Sequence, residues 1–223
     1  MSSPWIDSNF LIVNITIGRA QDGPAPISRA TLGWRDGDDM TPQIWDAPAD
    51  HATLDWDSLS EVRSTIGLAS TWTTSGNTTV LVIPNAASTV AALNARSQHC
   101  GLTPLVDLAP VLDPLLVAAN LEPHLPVATR IEDLCERYGV PLSNPTDEAI
   151  GVVQAIWDIS QQSDDAIMAR YPDARYPYEL ACRWSSIATL DAHDLHTAQG
   201  YWMEHSGMAP HSERWPCGIW PAP

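Results

Sequence analysis

The sequence predicts an α/β fold, and two observations lead there. Short apolar, β-branched runs bounded by polar residues, glycine or proline recur at residues 10–18, 27–34, 41–45 and 79–84, as buried strands do. Between and beyond them apolar residues fall at helical spacing, as at Leu59, Val62 and Ile66 and again at Ile131, Leu134, Cys135 and Tyr138. With 223 residues, 44% of them hydrophobic and 17% charged, the chain can bury a substantial core. That size fits a main domain over residues 1–160, with residues 161–223 as a helical and Pro/Trp-rich C-terminal extension packed on it.

The first strand, Phe10 to Gly18, is the one the rest is arranged around. Its interest lies in Asn14 and Thr16, two apart and therefore on one face. Ile27 to Trp34 and Thr41 to Trp45 follow as two strands joined across an Asp/Gly-rich turn. The acidic cluster there, Asp36, Asp38 and Asp39, lacks the rest of an EF-hand loop and reads as a hairpin turn rather than a calcium site. Leu54 to Leu68 is a helix with Leu54 at its approach, and Ser70 to Thr78 a loop. Thr79 to Pro84 is a second buried strand. Asn85 then caps a helix running to about Cys100, with Gly101 as its stop.

Leu105 to Pro114 reads as a further strand. Ile131 to Tyr138 is a helix closed by Gly139. Asn144 caps the next helix, with Pro145 in its first position. Near the end, Asp191 can cap a helix carrying Leu195, Ala198 and Trp202, and Ala209 to Pro223 reads as an extended cover. Trp157, Trp184 and Trp202 fall within helices and are expected in the core.

The formal net charge is −16, from 27 acidic residues against 11 basic ones, and every basic residue is arginine. Such a field repels nucleic acid at long range and offers few cations to displace phosphate counterions, so nucleic acid is a doubtful partner. Met1 to Ile6 lacks a basic n-region, and Asn14, Pro84, Asp113 and Pro114 break the apolar runs. Neither signal peptide nor membrane-spanning helix is therefore expected, which suggests a cytoplasmic protein. Cys100, Cys135, Cys182 and Cys217 form no Cys-x-x-Cys pair and read as reduced, largely buried thiols. His193 and His196 stand three apart on a helix and, with His205, His211 or Cys217, could bind zinc. Solvated or capping histidines are the preferred reading.

The opening strand with its two polar side chains on one face, a glycine and then a second strand resembles the start of the DnaQ-type 3′→5′ exonucleases, the polymerase III epsilon family. Val111-Leu-Asp-Pro-Leu-Leu and Arg130-Ile-Glu-Asp-Leu-Cys-Glu-Arg-Tyr-Gly-Val resemble segments of its actinobacterial members, as does Leu190-Asp-x-x-Asp-Leu-His-x-x-Gln. The resemblance implies an RNase H-like fold, a central mixed sheet flanked by helices, with a helical C-terminal extension. It also implies where the family's catalytic groups would stand. Its paired acidic residues fall on Asn14 and Thr16, its third metal-binding aspartate on Thr89, its general-base histidine on Thr146 and its fourth carboxylate on Gly151. Asp147 stands one position past the histidine slot, about 100° round the helix.

That family hydrolyses phosphodiesters with two divalent cations about 4 Å apart. Hard cations need anionic oxygen ligands, and a base must take the proton of the attacking water. Asn14, Thr16, Thr89 and Gly151 supply no negative charge, and Thr146 is no base. The sequence therefore points to a catalytically inactive homologue, with no catalytic residue and no metal cofactor, that binds a protein partner or serves as a structural component. The alternatives are a nuclease using magnesium or manganese at a rearranged site drawn from Asp7, Asp113 or Asp147, and an acidic imitation of DNA towards a DNA-binding protein.

Overall fold

The computed structural model describes residues 4–20, 23–36, 39–71, 73–74, 77–123, 126 and 128–205. The cover expected over Ala209 to Pro223 lies outside the described residues, as do Asp38, His211 and Cys217 and the side chains of Asp36, Asp39 and His205.

Strand β1 (Asn9–Ile17) occupies the middle of the sheet. It pairs antiparallel with β2 (Ile27–Asp36), which pairs antiparallel with β3 (Asp39–Asp46). After helix α1 (Trp56–Ala69), two-residue β4 (Thr73–Thr74) makes a small hairpin with the start of β5 (Asn77–Val82). β5 then runs parallel to β1. Helix α2 (Ala86–His99) leads to β6 (Val111–Leu112), parallel to β5 on its far side. The order β3-β2-β1-β5-β6, with only β2 reversed within the row from β2 to β6 beside an antiparallel β3, is the RNase H-like arrangement. Within Ser70 to Thr78, expected as loop, Thr73 and Thr74 thus pair with Thr78 and Asn77.

The two faces of the sheet account for the alternation along β1. Phe10 and Ile12 join a core with helices α4 (Ile131–Tyr138), α5 (Pro145–Ser160) and α7 (Pro177–Ile187), while Leu11 and Val13 join one with α1 and α2. Both faces are covered, so β1 reads as a continuous apolar run up to Val13. Pro42 sits opposite Gly33 in β3. It has no N–H to offer a further strand along β3, which blunts that edge.

The strand expected over Leu105 to Pro114 is only two residues long. Asp107 takes a positive φ of 54° and Pro110 has no N–H to donate, so the ladder with β5 begins only at the Pro110 carbonyl, which accepts the Leu81 N–H at 3.0 Å. Buried Asn94 stands in for a strand neighbour here: its Nδ2 donates to the Leu105 carbonyl (2.9 Å) and its Oδ1 accepts from the Leu105 N–H (2.6 Å). From Pro114 the chain turns at once into helix α3 (Pro114–Leu121), which the sequence reading missed. α4 and α5 follow as expected. Gly139 closes α4 at φ +73°, and Asn144 Oδ1 accepts from the N–H groups of Thr146 and Asp147 while Pro145 fills the first position.

Helices α6 (Asp164–Arg170), α7 and α8 (Ala192–His205) complete the described chain. Ile167, Leu180, Trp184 and Leu195 bury in the same cluster as Phe10 and Ile12. Of the tryptophans expected in the core, Trp184 is fully buried, whereas Trp157 and Trp202 are only half-buried against it. Trp5 is the unexpected member. It is buried edge-on to Trp157 at 5.4 Å and its Nε1 donates to the Ile187 carbonyl. Among the cysteines, Cys135 is buried, with its thiol pushed up to about 11 mainly by desolvation, but Cys182 is exposed, against expectation. Among the described residues no helix is long and apolar enough to cross a membrane.

Candidate functional site

Because β1 and β5 run parallel with Ile12 beside Val82, the start of α2 comes level with the second half of β1. Helix α5 lies across the opposite face of the sheet from α2 and packs on β1. Asn14 and Thr16 share the α5 side of the sheet with Phe10 and Ile12; Asn14 is half-buried and Thr16 exposed. The topology thus gathers the elements that would carry the family's metal ligands.

The side chains at the remaining positions point elsewhere. Thr89 is buried, and its Oγ1 donates to the Pro84 carbonyl at 3.1 Å, closing the first turn of α2. Thr146 is wholly buried, with its Oγ1 donating to Asn144 Oδ1 at 2.6 Å within the cap of α5. Gly151 is a packing glycine: a Cβ built there would stand 2.6 Å from Val140 Cγ1, so any larger residue obliges Val140 to move. The three positions therefore hold two hydroxyls spent on local backbone or cap and one hydrogen.

The three aspartates named as a possible rearranged site do not converge. Asp7 ends a short 3-10 helix before β1, so at about 3.3 Å per residue it lies more than one strand-half away from Asn14. Asp147 is exposed on the first turn of α5, where Asn144 Nδ2 donates to its Oδ2 at 2.5 Å. Asp113 is buried, and its two oxygens accept four backbone N–H groups. Oδ1 takes those of Asn85 (3.2 Å), Leu115 (3.1 Å) and Leu116 (3.4 Å), and Oδ2 that of Ala86 (2.8 Å). One carboxylate therefore caps α2 and α3 together. Burial pushes its pKa up to about 6, opposed by those four donors.

This displaces Asn85 from the role expected for it. Asn85 sits in the left-handed region at φ 53°, gives α2 no side-chain cap, and donates through Nδ2 to the Thr129 carbonyl.

The junction extends into α8. Gln199, wholly buried, accepts the Asp113 N–H on Oε1 at 2.7 Å and donates through Nε2 to the carbonyls of Val111 (2.9 Å) and Leu195 (3.1 Å). His196 Nδ1 accepts the Val111 N–H at 3.1 Å. Two side chains thus take the place of a neighbouring strand along β6 and cover the sheet edge. Desolvation first, with the nearby His193 adding to it, lowers the pKa of His196. Exposed His193 and this neutral, hydrogen-bonded ring are not a solvated pair, and among the described residues no group of three or more His, Cys, Asp or Glu is placed to hold a metal ion. Sequence reasoning quoted this His-x-x-Gln motif without its purpose; its partners lie more than 80 residues away.

The residues present do not fit a pair of divalent cations. Amide, hydroxyl and hydrogen stand where a cage of carboxylates is needed, and of the buried carboxylates nearby Asp113 accepts four backbone N–H groups and Glu148 accepts the Ser143 N–H at 2.9 Å.

No protein-family model and no curated protein matches the chain. Among solved structures, a 3′-exonuclease described for 3′-end-specific recognition of a histone mRNA stem-loop is similar at 12% identity, covering 69% of this chain and 80% of that one, with a TM-score of 0.45. A likeness this slight carries no argument about activity, and the RNase H-like assignment rests on the strand order.

Proposed function

We propose that the chain is a catalytically inactive relative of the DnaQ-type exonucleases, acting as a protein-binding or structural module. The observation that supports this most is the fate of the five family positions. Thr89 and Thr146 serve their own helix starts, Gly151 is closed by Val140, and Asn14 and Thr16 carry no charge. Two dications brought together there would lack the carboxylates of the family positions, and Thr146, at the general-base position, cannot take the proton of an attacking water. The excess of acidic residues works against nucleic acid as the partner.

Incubation of the pure protein with labelled single-stranded DNA and manganese tests the reading. No digestion above a buffer blank is expected. Sustained digestion that Asp147→Ala or Asp7→Ala abolishes would establish a rearranged nuclease instead. Both aspartates are exposed, so their loss should not unfold the protein.

A further inference from the structure

The run Arg170-Tyr-Pro-Asp-Ala-Arg-Tyr-Pro repeats an Arg-Tyr-Pro triplet five residues apart, in a chain that has few cations to place. The two copies face different surroundings. Tyr171 is buried, stacked near-parallel on Trp184 with ring centres 6.4 Å apart, and its hydroxyl donates to buried Glu122, which Arg137 also pairs at 3.1 Å. Tyr176 is 58% exposed, and Arg175 lies over its ring at 5.2 Å. Between Pro123 and α7, Arg175 and Tyr176 border a groove of about 250 Å³ that Pro123, Ala174 and Leu180 also line.

The two arginines at the groove differ in what they have left to give. Arg183 is committed: it donates to the Asn120 carbonyl at 3.0 Å and to Glu179 at 2.8 Å, which also neutralises the one carboxylate at the rim. Arg175 places its guanidinium carbon 5.2 Å from the centre of the Tyr176 ring, a cation–π contact, and among the described residues its N–H fork makes no hydrogen bond or ion pair. Held by the ring, that fork loses little freedom on taking a planar carboxylate by two hydrogen bonds. The segment from Arg170 to Arg183 holds three arginines against Asp173 and Glu179, the reverse of the balance in the whole chain.

Deepening the protein-binding reading above, on which it rests, we infer that this groove is a docking site for a partner-protein segment that pairs one carboxylate with one apolar side chain. Arg175 takes the carboxylate edge-on, and the apolar group lies on Leu180, Ala174 and Pro123. A nucleic-acid strand suits the groove less well. It would bring a row of phosphates to a single available guanidinium on a strongly acidic protein.

Amide-resolved NMR of the full chain with N-acetyl-leucine and its carboxamide tests this. The acid should shift amides between Ala174 and Arg183, with affinity on the order of millimolar for so small a probe. The carboxamide should bind about tenfold more weakly. Arg175→Gln should abolish the difference between acid and carboxamide. Equal shifts from both probes, no shifts, or shifts elsewhere would overturn the assignment. So would an oligothymidylate that moves the same amides more strongly, since the ligand class would then be nucleic acid. A nuclease assay has no bearing on any of these outcomes, so the two readings can fail separately.

Discussion

Two polar regions of the molecule lie within a few residues of each other in the fold and behave in opposite ways. At Asn14, Thr16, Thr89, Thr146 and Gly151 the polar atoms are few, uncharged and, where buried, bonded within their own turn. At Asp113, His196 and Gln199 they are buried or half-buried, bonded across 27 to 88 residues of sequence, and hold α2, α3, β6 and α8 together. Asn14 and Thr16 of the first region can change with little consequence for the fold, and Asp113 and Gln199 of the second cannot. Polar chemistry in this chain has its greatest structural weight at the sheet edge, beside the place where a nuclease of this fold would keep its metals.

The largest expected effect therefore belongs to Asp113→Ala. It strips the acceptor from four backbone donors at two helix starts and should cost roughly 3–5 kcal/mol in urea unfolding. Asp113→Asn keeps one acceptor oxygen but turns an NH₂ towards an N–H, and should still cost about 2–3 kcal/mol. A sign follows for pH. The folded state holds the Asp113 proton more tightly than the unfolded chain, from about 6 down to the ordinary carboxylate range. Its contribution to stability is thus fully present at acid pH and is lost as pH rises through about 6. A wild type and Asp113→Asn whose stability difference does not change between pH 4 and 7 would contradict this.

Gln199→Leu comes next, at about 2–3 kcal/mol, because the Asp113 N–H and the Val111 carbonyl are left buried without partners. His196→Gln should cost about 1 kcal/mol or less near neutral pH. Its pH signature runs opposite to that of Asp113. The neutral ring is the folded form, so its contribution is present above the ordinary histidine pKa and is lost as pH falls through the lowered value. The difference between wild type and His196→Gln should shrink as pH is lowered below 6.5.

What could be read from the sequence divides along the same line. Asn144-Pro145 and Tyr138-Gly139 follow local rules of helix starts and stops, and α4 and α5 lie where those rules put them. Asp113-Pro114-Leu-Leu-Val looks locally like the end of an apolar strand. Its role as a double cap depends on Asn85 and Ala86, 28 and 27 residues away. His196 and Gln199 could be read as letters of a motif, but not their task, because Val111 and Asp113 are 85 and 86 residues distant. The lack of carboxylates was legible outright. That Val140 fills the space a fourth one needs was not, since nothing local couples Val140 to Gly151.

Gly151 sharpens the comparison from the quiet side. Gly151→Ala should cost about 1–3 kcal/mol, although alanine is the better helix former, because its Cβ meets Val140 at 2.6 Å. The double variant Val140→Ala, Gly151→Ala should recover part of that loss, and simple additivity of the two costs would sink the packing account.

The smallest effect is expected where the family resemblance would suggest the largest. Asn14→Asp with Thr16→Glu returns the acidic pair to β1, at one half-buried and one exposed position, and should change stability by only about 1 kcal/mol. Two carboxylates alone leave a dication pair short of ligands and the water without a base. No manganese-dependent digestion of single-stranded DNA is expected, even from the variant that also carries Thr146→His. The fourth carboxylate position remains closed by Val140, and Thr89 remains bonded to Pro84. Digestion by either variant would mean that the pocket tolerates its ligands better than its packing indicates, and that the proposed inactivity turns on the chemistry at β1 rather than on the helices that face it.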